Sequence, residues 1–455
     1  MLKLPARVSL ALATVALVVY RLATRARVPD DYDSVGFVRA VEQFDLAQFQ
    51  PHFPGYPVYV ALTRLVHACG CDALTATTAT SALASAATGV ALWRLGAALV
   101  DARAGFVAFA LWAVALAPAL TGGAALSDAT ATALAAWSFA ALTWPSRRAA
   151  FVGGALLALT LGARASYWPL ALSFAFVVGH ARRPWFASLC GFVAGALAWA
   201  VPFVLVGAQP LWQLGRTHVT GHFTVWGGSI VTRPDMLGRI YAWTRALVYD
   251  GLWPHPLALI VALIAMTMVR RRPSRDALVV ALAVALPYAL WALLGQNVLE
   301  QPRHLLPLVA ALTLALALAT HARLPAAVTL VVASALASAP LAIARVRLAP
   351  AAARAGAWVA SVDSHALVYG MRATRLMQWT APTLVVHPRL SFAEVEGDLE
   401  RLDVLPHDVY VTSEVEGTPL AGRPLVAGPT FCRDARLDRQ LPCVTVSRYT
   451  VRVGR

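Results

Sequence analysis

Three aspartates follow the first apolar segment of the chain. Asp30, Asp31 and Asp33 stand directly before Ser34, and Glu42 comes shortly after them. In an extended loop the side chains of Asp31 and Asp33 share a face, because they are two residues apart. Such a pair could hold a divalent cation, Mg²⁺ or Mn²⁺, or one carboxylate could act as general base towards a hydroxyl. The alternative is that the cluster only caps a helix predicted over Val35–Phe44, with Ser34 as the capping residue.

A turn rich in proline and aromatic residues follows some twenty residues later. It reads His52-Phe53-Pro54-Gly55-Tyr56-Pro57. Proline and glycine fix a sharp bend, and we expect this bend to hold His52 and Tyr56 beside the acidic loop. A helix cap alone would not need such a bend, so the turn favours a functional site.

Two arginines are predicted at the ends of apolar segments, at the depth of a lipid phosphate. Arg164 follows one segment, and Arg303 precedes another together with His304. The guanidinium fork matches phosphate oxygens, so both are candidates for binding a phosphate; the alternative is that they only reach out to the membrane surface. Asp128 begins a further segment and could pair with one of these arginines, orient an acceptor or cap its helix.

A longer polar stretch contains His218, His222, Trp226, Arg233 and Arg239. The two histidines have helical spacing, but no glutamate completes a zinc-peptidase pattern, so we expect no metal there. Its aromatic and arginine side chains are suited to shaping a sugar pocket, with Trp226 as the candidate, or to forming an aromatic belt at the membrane interface.

Composition defines the class of protein. The chain has 455 residues, of which 59% are hydrophobic and 13% charged, whereas soluble domains contain roughly 25% charged residues. The chain is therefore expected to be an integral membrane protein. Its net charge of +15 does not indicate nucleic-acid binding, because the basic residues are dispersed over short loops between apolar segments.

Eleven apolar segments are predicted to be membrane-spanning helices. They run approximately over Val8–Leu22, Thr75–Val100, Gly105–Leu120, Leu126–Trp144, Ala149–Gly162, Ser166–Gly179, Trp185–Gly207, Pro256–Val269, Ala277–Leu294, Leu305–Thr320 and Pro325–Ile343. No small-residue cleavage site follows the first segment, so we expect it to be an uncleaved anchor.

The distribution of arginine predicts the orientation of these segments. Alternate short loops are rich in arginine, as is the N-terminus, and this side is predicted to be cytoplasmic. The first loop (24–74), the long loop (208–254) and the tail from Arg345 are then external. This assignment requires Pro57–Cys69 to lie on the membrane surface instead of crossing it.

The tail has the pattern of a small α/β domain. Leu367–Gly370, Thr383–Val386 and Val409–Thr412 are predicted strands, and Phe392–Leu402 is a predicted helix between the last two. Cys432 and Cys443 follow, and on an external face they could form a disulfide. The predicted domains are thus a membrane module over 1–344 and an extracytoplasmic domain over 345–455.

These motifs resemble the GT-C superfamily of membrane glycosyltransferases. The acidic residue with Ser34 after the first span and the turn His52–Pro57 are similar to bacterial protein O-mannosyltransferase-like and aminoarabinose-transferase-like members. Here Phe53 replaces the usual first proline. Weaker similarities are the acidic residue Asp128 at the start of a span and the stretch Gln301–Pro307. In hydropathy the resemblance extends from Met1 to about Thr320.

The resemblance implies an inverting transfer of a sugar from a polyprenyl-phosphate donor to an acceptor hydroxyl. It implies that Asp33 is the catalytic base, with Asp31 as the rival, and that Arg303 and Arg164 bind the donor phosphate. The pocket would contain His52, Tyr56, Asp128, His304 and Trp226. The expected location is the bacterial inner membrane, with the N-terminus cytoplasmic and the tail periplasmic. The sugar and the acceptor (protein, glycolipid or polysaccharide) stay open, as does dependence on a divalent cation.

Two other classes of protein fit the same composition. A transporter or a flippase for lipid-linked sugars would also be a basic helical bundle, but charges and broken helices near the middle of the membrane would then be expected. Here the charges lie at the ends of spans, which favours chemistry at the surface. The third class is a membrane scaffold that displays the tail.

Overall fold

The protein is described here from a computed structural model, which covers residues 6–267, 275–401, 408–419 and 425–449. Its first ten helices are α1 Ala6–Ala23, α2 Tyr32–Glu42, α3 Pro57–His67, α4 Ala73–Leu99, α5 Ala102–Val114, α6 Leu116–Thr121, α7 Asp128–Ala141, α8 Arg147–Ala163, α9 Leu170–His180 and α10 Trp185–Gly221. The others are α11 Met236–Thr244, α12 Pro256–Thr267, α13 Arg275–Gly295, α14 Leu306–Thr320, α15 Leu324–Arg347, α16 Ala351–Val362, α17 Arg372–Thr380 and α18 Phe392–Leu399. Short 3₁₀ turns cover Ala165–Tyr167 and Pro302–Leu305, and π-helical turns cover His222–Trp226 and Arg245–Tyr249.

Each of the eleven predicted apolar segments overlaps a helix, with Gly105–Leu120 divided between α5 and α6, but eleven membrane spans are not confirmed. Within the described residues, four helical stretches are long and apolar enough to cross a membrane: Ala73–Leu99, Trp185–Leu205, Pro302–Thr320 and Leu324–Val362. Other apolar helices, such as Ala102–Val114, are shorter than the roughly 17 residues that a span needs. The protein is thus mostly helical and has several candidate spans.

The chain divides into two compact units. The first contains Met1–Arg25 and Arg39–Ile343, and the second contains Ala26–Val38 and Ala344–Arg455. From the sequence, the whole first loop was assigned to the membrane module. In the structure, residues Ala26–Val38 instead group with the tail, because Val35 is fully buried in the hydrophobic core that the tail forms.

Glycines bring α8 and α10 into close contact in the first unit. A Cβ atom on Gly154 would lie 1.9 Å from the carbonyl oxygen of Ser188, and one on Gly191 would lie 1.9 Å from that of Phe151. Small residues allow two helix backbones to approach in this way. The contact packs α8, which Arg164 directly follows, closely against α10.

The second unit is built on a five-stranded sheet. Its strands are β1 Leu367–Gly370, β2 Val385–Pro388, β3 Val409–Thr412, β4 Leu425–Cys432 and β5 Cys443–Tyr449. They lie in the order β2-β1-β3-β5-β4; β1 is parallel to β2 and β3, whereas β5 is antiparallel to β3 and β4. Helices α17 and α18 connect the parallel strands, as such connections require. The small C-terminal α/β fold predicted from the sequence is therefore present.

The antiparallel half of this sheet was not predicted. In β4 the pairing register shifts between Ala427 and Thr430, around Gly428 and Pro429, so the strand lacks a clear alternating pattern. Cys432 and Cys443 are paired residues of β4 and β5 and form the disulfide that the sequence left open.

The stretch predicted as a long external loop (208–254) is largely helical. Helix α10 continues to Gly221 and into the π-helical turn His222–Trp226, and α11 follows. The predicted span ended at Gly207, where the apolar pattern ends. Helix α10 continues beyond it, because a helix can extend into polar sequence when its residues have adequate helix propensity. The prediction of a helix after Pro57 is met by α3.

Candidate functional site

The helix that follows the acidic loop starts earlier than predicted, at Tyr32 instead of Val35. The Oδ1 atom of Asp31 accepts a hydrogen bond from the backbone N–H of Ser34 at 2.8 Å, so Asp31 caps α2, and Asp33 lies in its first turn. The predicted cap, Ser34, is instead fully buried. Residues two apart on a helix do not face each other. The extended loop on which Asp31 and Asp33 were expected to share a face is not what the structure has, because Asp33 already belongs to α2.

Asp30 is held by two arginines of the tail. Its Oδ2 atom accepts hydrogen bonds from Arg345, with the Nε atom at 3.0 Å, and its Oδ1 atom accepts one from Nη1 of Arg433 at 3.3 Å. Burial raises the pKa of the Asp30 carboxyl, but the two guanidinium charges outweigh burial and bring the pKa below its usual value. Asp30 is therefore ionised at neutral pH, and both of its carboxylate oxygens accept hydrogen bonds from arginine side chains.

A further carboxyl group, that of Asp438, lies in the same region of the second unit. Burial raises its pKa to about 7, and the negative charges of Asp31 and Asp30 add to this effect. The backbone N–H of Leu441, at 3.0 Å, and the charge of Arg433 act in the opposite direction. Asp438 thus changes its charge near neutral pH, close enough to Asp31 for the two carboxylates to interact.

Replacing Asp438 by asparagine should change how stability depends on pH. Because the pKa of Asp438 is higher in the folded than in the unfolded protein, its contribution to stability is complete below about 3.8 and is lost as pH rises to about 7. We expect Asp438→Asn to reduce the loss of thermal stability between pH 5 and pH 8. Melting temperatures of both proteins at the two pH values measure this, and an equal loss in both would contradict it.

Dependence on a divalent cation at Asp31 and Asp33 stays a prediction. Within the described residues there is no group of three or more His, Cys, Asp or Glu side chains that could hold a metal ion. Asp31 accepts a backbone hydrogen bond, and Asp33 lies in the first turn of α2. The chemistry below is therefore derived from the side chains of the chain itself.

The predicted turn brings its aromatic side chains together in the first unit. The Oη atom of Tyr56 and the Nε2 atom of His52 are 2.6 Å apart, and the His52 ring stacks on that of His218 with centroids 6.2 Å apart. Gly55 has φ +91°, and a Cβ atom there would lie 2.8 Å from the Phe203 ring, so only glycine fits. The predicted proximity of this turn to the acidic loop stays a prediction, because the two belong to different units.

Asp128 and Arg164 form a buried ion pair. The Nη1 atom of Arg164 donates to Oδ2 of Asp128 at 3.2 Å and to the Ser127 hydroxyl at 3.3 Å, and the two charged side chains are 7% and 0% exposed. Among the described residues, neither Oδ1 of Asp128 nor Nε of Arg164 has a hydrogen-bond partner. Asp128 therefore pairs with an arginine, which was one of its three predicted roles.

Arg303 lies close enough to Arg164 for their charges to interact. It belongs to the 3₁₀ turn that precedes α14, and the carbonyl oxygen of its neighbour His304 accepts a hydrogen bond from the Tyr288 hydroxyl at 2.7 Å. Among the described residues, the buried Nδ1 atom of His304 has no hydrogen-bond partner. Two guanidinium groups and a polar imidazole thus converge in the first unit, as a phosphate site would require.

An apolar cavity of about 350 Å³ lies in the first unit. Its lining includes Phe53, Tyr56, Trp199, Phe203, Leu211 and Trp212. Ala165, next to Arg164, also lines it, and Tyr56 lies close enough to Arg164 for an electrostatic interaction. The cavity therefore has an apolar body and an arginine near one part of its wall, which suits a lipid with a charged head.

The prediction for Trp226 cannot be compared in the same way, because its side chain lies outside the described residues. His218, which belongs to the same polar stretch of the sequence, contacts His52 and Phe53. Arg239 is fully buried and donates to the carbonyl oxygens of Leu293, Gly228 and Gln296. Arg239 thus has a structural role that its sequence position did not reveal.

Loss of Asp128 should destabilise the first unit. Asp128→Ala leaves the buried Arg164 charge without its partner, which costs roughly 3–5 kcal/mol of stability. The matched control is Arg233→Ala, because the Arg233–Glu300 pair is partly exposed and such pairs contribute about 0–1 kcal/mol. Thermal unfolding in detergent measures both variants. Equal stability of the two would contradict a stabilising role of the buried pair.

Several residues that surround the predicted ones have no signature in the sequence. Arg345, Arg433 and Asp438 lie far from Asp30 in sequence, and no local pattern connects them with it. The aromatic residues of α10 that line the cavity, Trp199 and Phe203, looked like ordinary membrane-helix side chains. The sequence did contain a pattern that could have identified these aromatic residues, because aromatic residues recur with helical spacing along α10.

Comparison with solved structures identifies the fold. The chain is similar to ArnT from Cupriavidus metallidurans bound to undecaprenyl phosphate (TM-score 0.57, 11% identity) and in the apo state (TM-score 0.57, 13% identity), with 98% of both chains covered in each case. It is also similar to the mycobacterial arabinofuranosyltransferase AftD (TM-score 0.51, 17% identity), which covers 98% of this chain and 42% of that one. No protein-family model and no curated protein matches the sequence.

At these identities the comparisons establish the fold alone. The chain has the fold of the ArnT and AftD structures along nearly its whole length. The resemblance inferred from the acidic loop and the His52–Pro57 turn is thereby confirmed at the level of the fold. The similarity also includes the C-terminal part of the chain, where the sequence showed no resemblance.

Proposed function

We propose that the protein is an inverting glycosyltransferase that moves a sugar from a polyprenyl-phosphate donor to an acceptor hydroxyl at the external face of a bacterial inner membrane. The observation that carries the proposal is the apolar cavity beside Arg164, with Arg303 within electrostatic range, in a chain with the GT-C fold. Undecaprenyl phosphate is bound in the similar ArnT structure. An isoprenoid chain would occupy the cavity, and its phosphate would lie against the arginines.

The proposed reaction breaks one bond and forms one. The acceptor oxygen attacks the anomeric carbon, and the bond from that carbon to the phosphate oxygen breaks. Asp33 takes the proton of the acceptor hydroxyl, with Asp31 as the alternative base. The polyprenyl phosphate leaves as an anion, and the guanidinium groups of Arg303 and Arg164 stabilise the charge that develops on it.

Two features support Asp33 over Asp31 as the base. The Asp31 carboxylate already accepts the N–H of Ser34, which caps α2 and lowers its capacity as a proton acceptor. Asp33 lies in the first turn of α2 and directly precedes Ser34, which is the position at which the resemblance places the base. The remaining pocket residues, His52, Tyr56, His304 and Trp226, would shape the space for the sugar.

A direct test supplies purified protein with a panel of labelled polyprenyl-phosphate sugars and follows the release of polyprenyl phosphate. Parallel reactions with and without chelator test whether a divalent cation takes part. We expect release from at least one donor. If a folded protein in lipid nanodiscs releases polyprenyl phosphate from no donor but carries lipid-linked sugar across a vesicle membrane, a transporter or flippase is the better interpretation.

A further inference from the structure

The segment that contains the candidate catalytic carboxylates is built into the second unit by three different contacts. Asp30 binds Arg345 and Arg433. The guanidinium carbon of Arg375, on α17, lies 4.4 Å from the centroid of the Tyr32 ring, and such a cation–π contact is attractive. Val35 is fully buried in the core of the unit. An ion pair, a cation–π contact and a buried apolar side chain therefore hold the start of α2 to the tail.

The Asp30 contact is the most specific of the three. Each carboxylate oxygen is bound by a different arginine, and the side chains of Arg345 and Arg433 are only 3% and 1% exposed. The two arginines are also linked to each other, because Nη2 of Arg433 donates to the carbonyl oxygen of Arg345 at 3.1 Å. Charge-assisted hydrogen bonds of this kind hold their partners in a defined geometry.

The position of Arg433 is in turn set by the β4–β5 hairpin. Arg433 follows Cys432, which is bonded to Cys443. Its backbone N–H donates to the carbonyl oxygen of Pro442 at 2.7 Å, and Arg354 donates to that of Cys432 at 2.5 Å. A covalently closed hairpin thus presents Arg433 to the first loop.

We propose that the C-terminal unit positions the catalytic carboxylates, with Asp30, Arg345 and Arg433 as positioning residues that fix the start of α2. The proposal rests on the proposed function for its catalytic consequence. Asp30 is adjacent to Asp31, the cap of α2, and Asp33 lies in the first turn, so a loose Asp30 would let this turn fray. A misplacement of about 1 Å can cost ~10²-fold in rate. The tail is therefore part of the catalytic machinery and does more than stabilise the bundle.

The experiment measures hydrogen exchange and kinetics on the full-length protein in nanodiscs. The variants are Arg433→Ala, the charge-conserving Arg433→Lys and the near-isosteric Asp30→Asn. The matched control is Arg448→Ala, because Arg448 belongs to the same unit and forms an exposed ion pair with Asp408. The readouts are amide exchange over Tyr32–Val38, exchange over β1 and β3, and kcat and KM for the donor.

We expect Arg433→Ala and Asp30→Asn to accelerate exchange over Tyr32–Val38 while leaving β1 and β3 protected. We expect kcat to fall by roughly 10²-fold with little change in KM, partial recovery in Arg433→Lys, and no effect in Arg448→Ala. If Arg433→Ala does not fold, Asp30→Asn and Arg433→Lys give the same readouts.

Two results would overturn the positioning role. One is exchange over Tyr32–Val38 that stays at the wild-type level, and the other is exchange that rises equally throughout the unit, which would mean a stabilising role only. The proposed function fails separately. A wild-type protein that transfers no sugar would refute the transferase, whereas the exchange pattern would still decide whether Asp30 fixes the start of α2.

Discussion

Replacement of Asp33 by asparagine is expected to lower the rate of sugar transfer by roughly 10²–10⁴-fold, the range that a positioned general base contributes. Asparagine has nearly the same shape as aspartate but cannot accept the proton of the acceptor hydroxyl. Because the two side chains are nearly isosteric, the substitution in the first turn of α2 should leave folding and membrane insertion unchanged. Initial rates of polyprenyl phosphate release, compared at equal amounts of inserted protein, measure the effect.

Two variants of the same segment control this prediction. Glu42→Gln removes an exposed carboxylate at the other end of α2 and should retain full activity. Asp31→Asn tests the rival base and should have the smaller effect. Full activity of Asp33→Asn would refute Asp33 as the base, and a large loss in Asp31→Asn alone would transfer that role to Asp31.

Arg303→Ala is expected to lower the transfer rate by roughly 10²–10³-fold. This is the loss that follows when an enzyme loses one group that stabilises developing charge. The reason is that the departing phosphate would lose one of the two guanidinium groups proposed to hold it. Arg303→Lys keeps the charge but loses the planar fork, so we expect an intermediate rate. Binding of undecaprenyl phosphate should weaken together with the rate.

Helix α14 itself supplies the matched control for Arg303. Arg323 lies just beyond the opposite end of this helix and is exposed. Arg323→Ala removes the same charge at the other end and should leave both rate and binding unchanged. Equal losses in the two variants would indicate a general effect of charge on the helix and would contradict a phosphate site at Arg303.

Much of the architecture follows from local sequence. Apolar runs marked every helix of the predicted bundle because an apolar segment of this length has few alternatives to a helix in a membrane. The apolar runs did not predict how many helices cross the membrane. Helices continue into polar sequence, as α10 does beyond the apolar part of its length. The parallel strands of the tail were found because β-branched runs alternate with a helical pattern.

The arrangement of the site was harder to predict. The roles of Asp31 and Ser34 were reversed, because a cap depends on where the helix starts, and the start here is set by packing of Val35 and Tyr32 within the second unit. The Asp30–Arg345–Arg433 contact joins residues more than three hundred positions apart. Only the folded chain brings such residues together.

Residue types at the ends of apolar segments were nevertheless informative. A charge near a membrane span is costly and needs a partner or a function, and this argument selected Asp128, Arg164 and Arg303 from the sequence alone. In the structure Asp128 and Arg164 form a buried pair, and Arg303 lies within electrostatic range of them. The physical rule thus located a cluster whose members are far apart in sequence.

The most direct test of the central claim is an experimentally determined structure of the full-length protein in nanodiscs with undecaprenyl phosphate bound. We predict that the phosphate contacts the guanidinium groups of Arg303 and Arg164, that the isoprenoid chain enters the cavity lined by Trp199 and Phe203, and that the Asp33 carboxylate faces the phosphate across a space large enough for a sugar. A phosphate bound elsewhere, or Asp33 facing bulk solvent away from it, would contradict the assignment as a polyprenyl-phosphate-dependent glycosyltransferase.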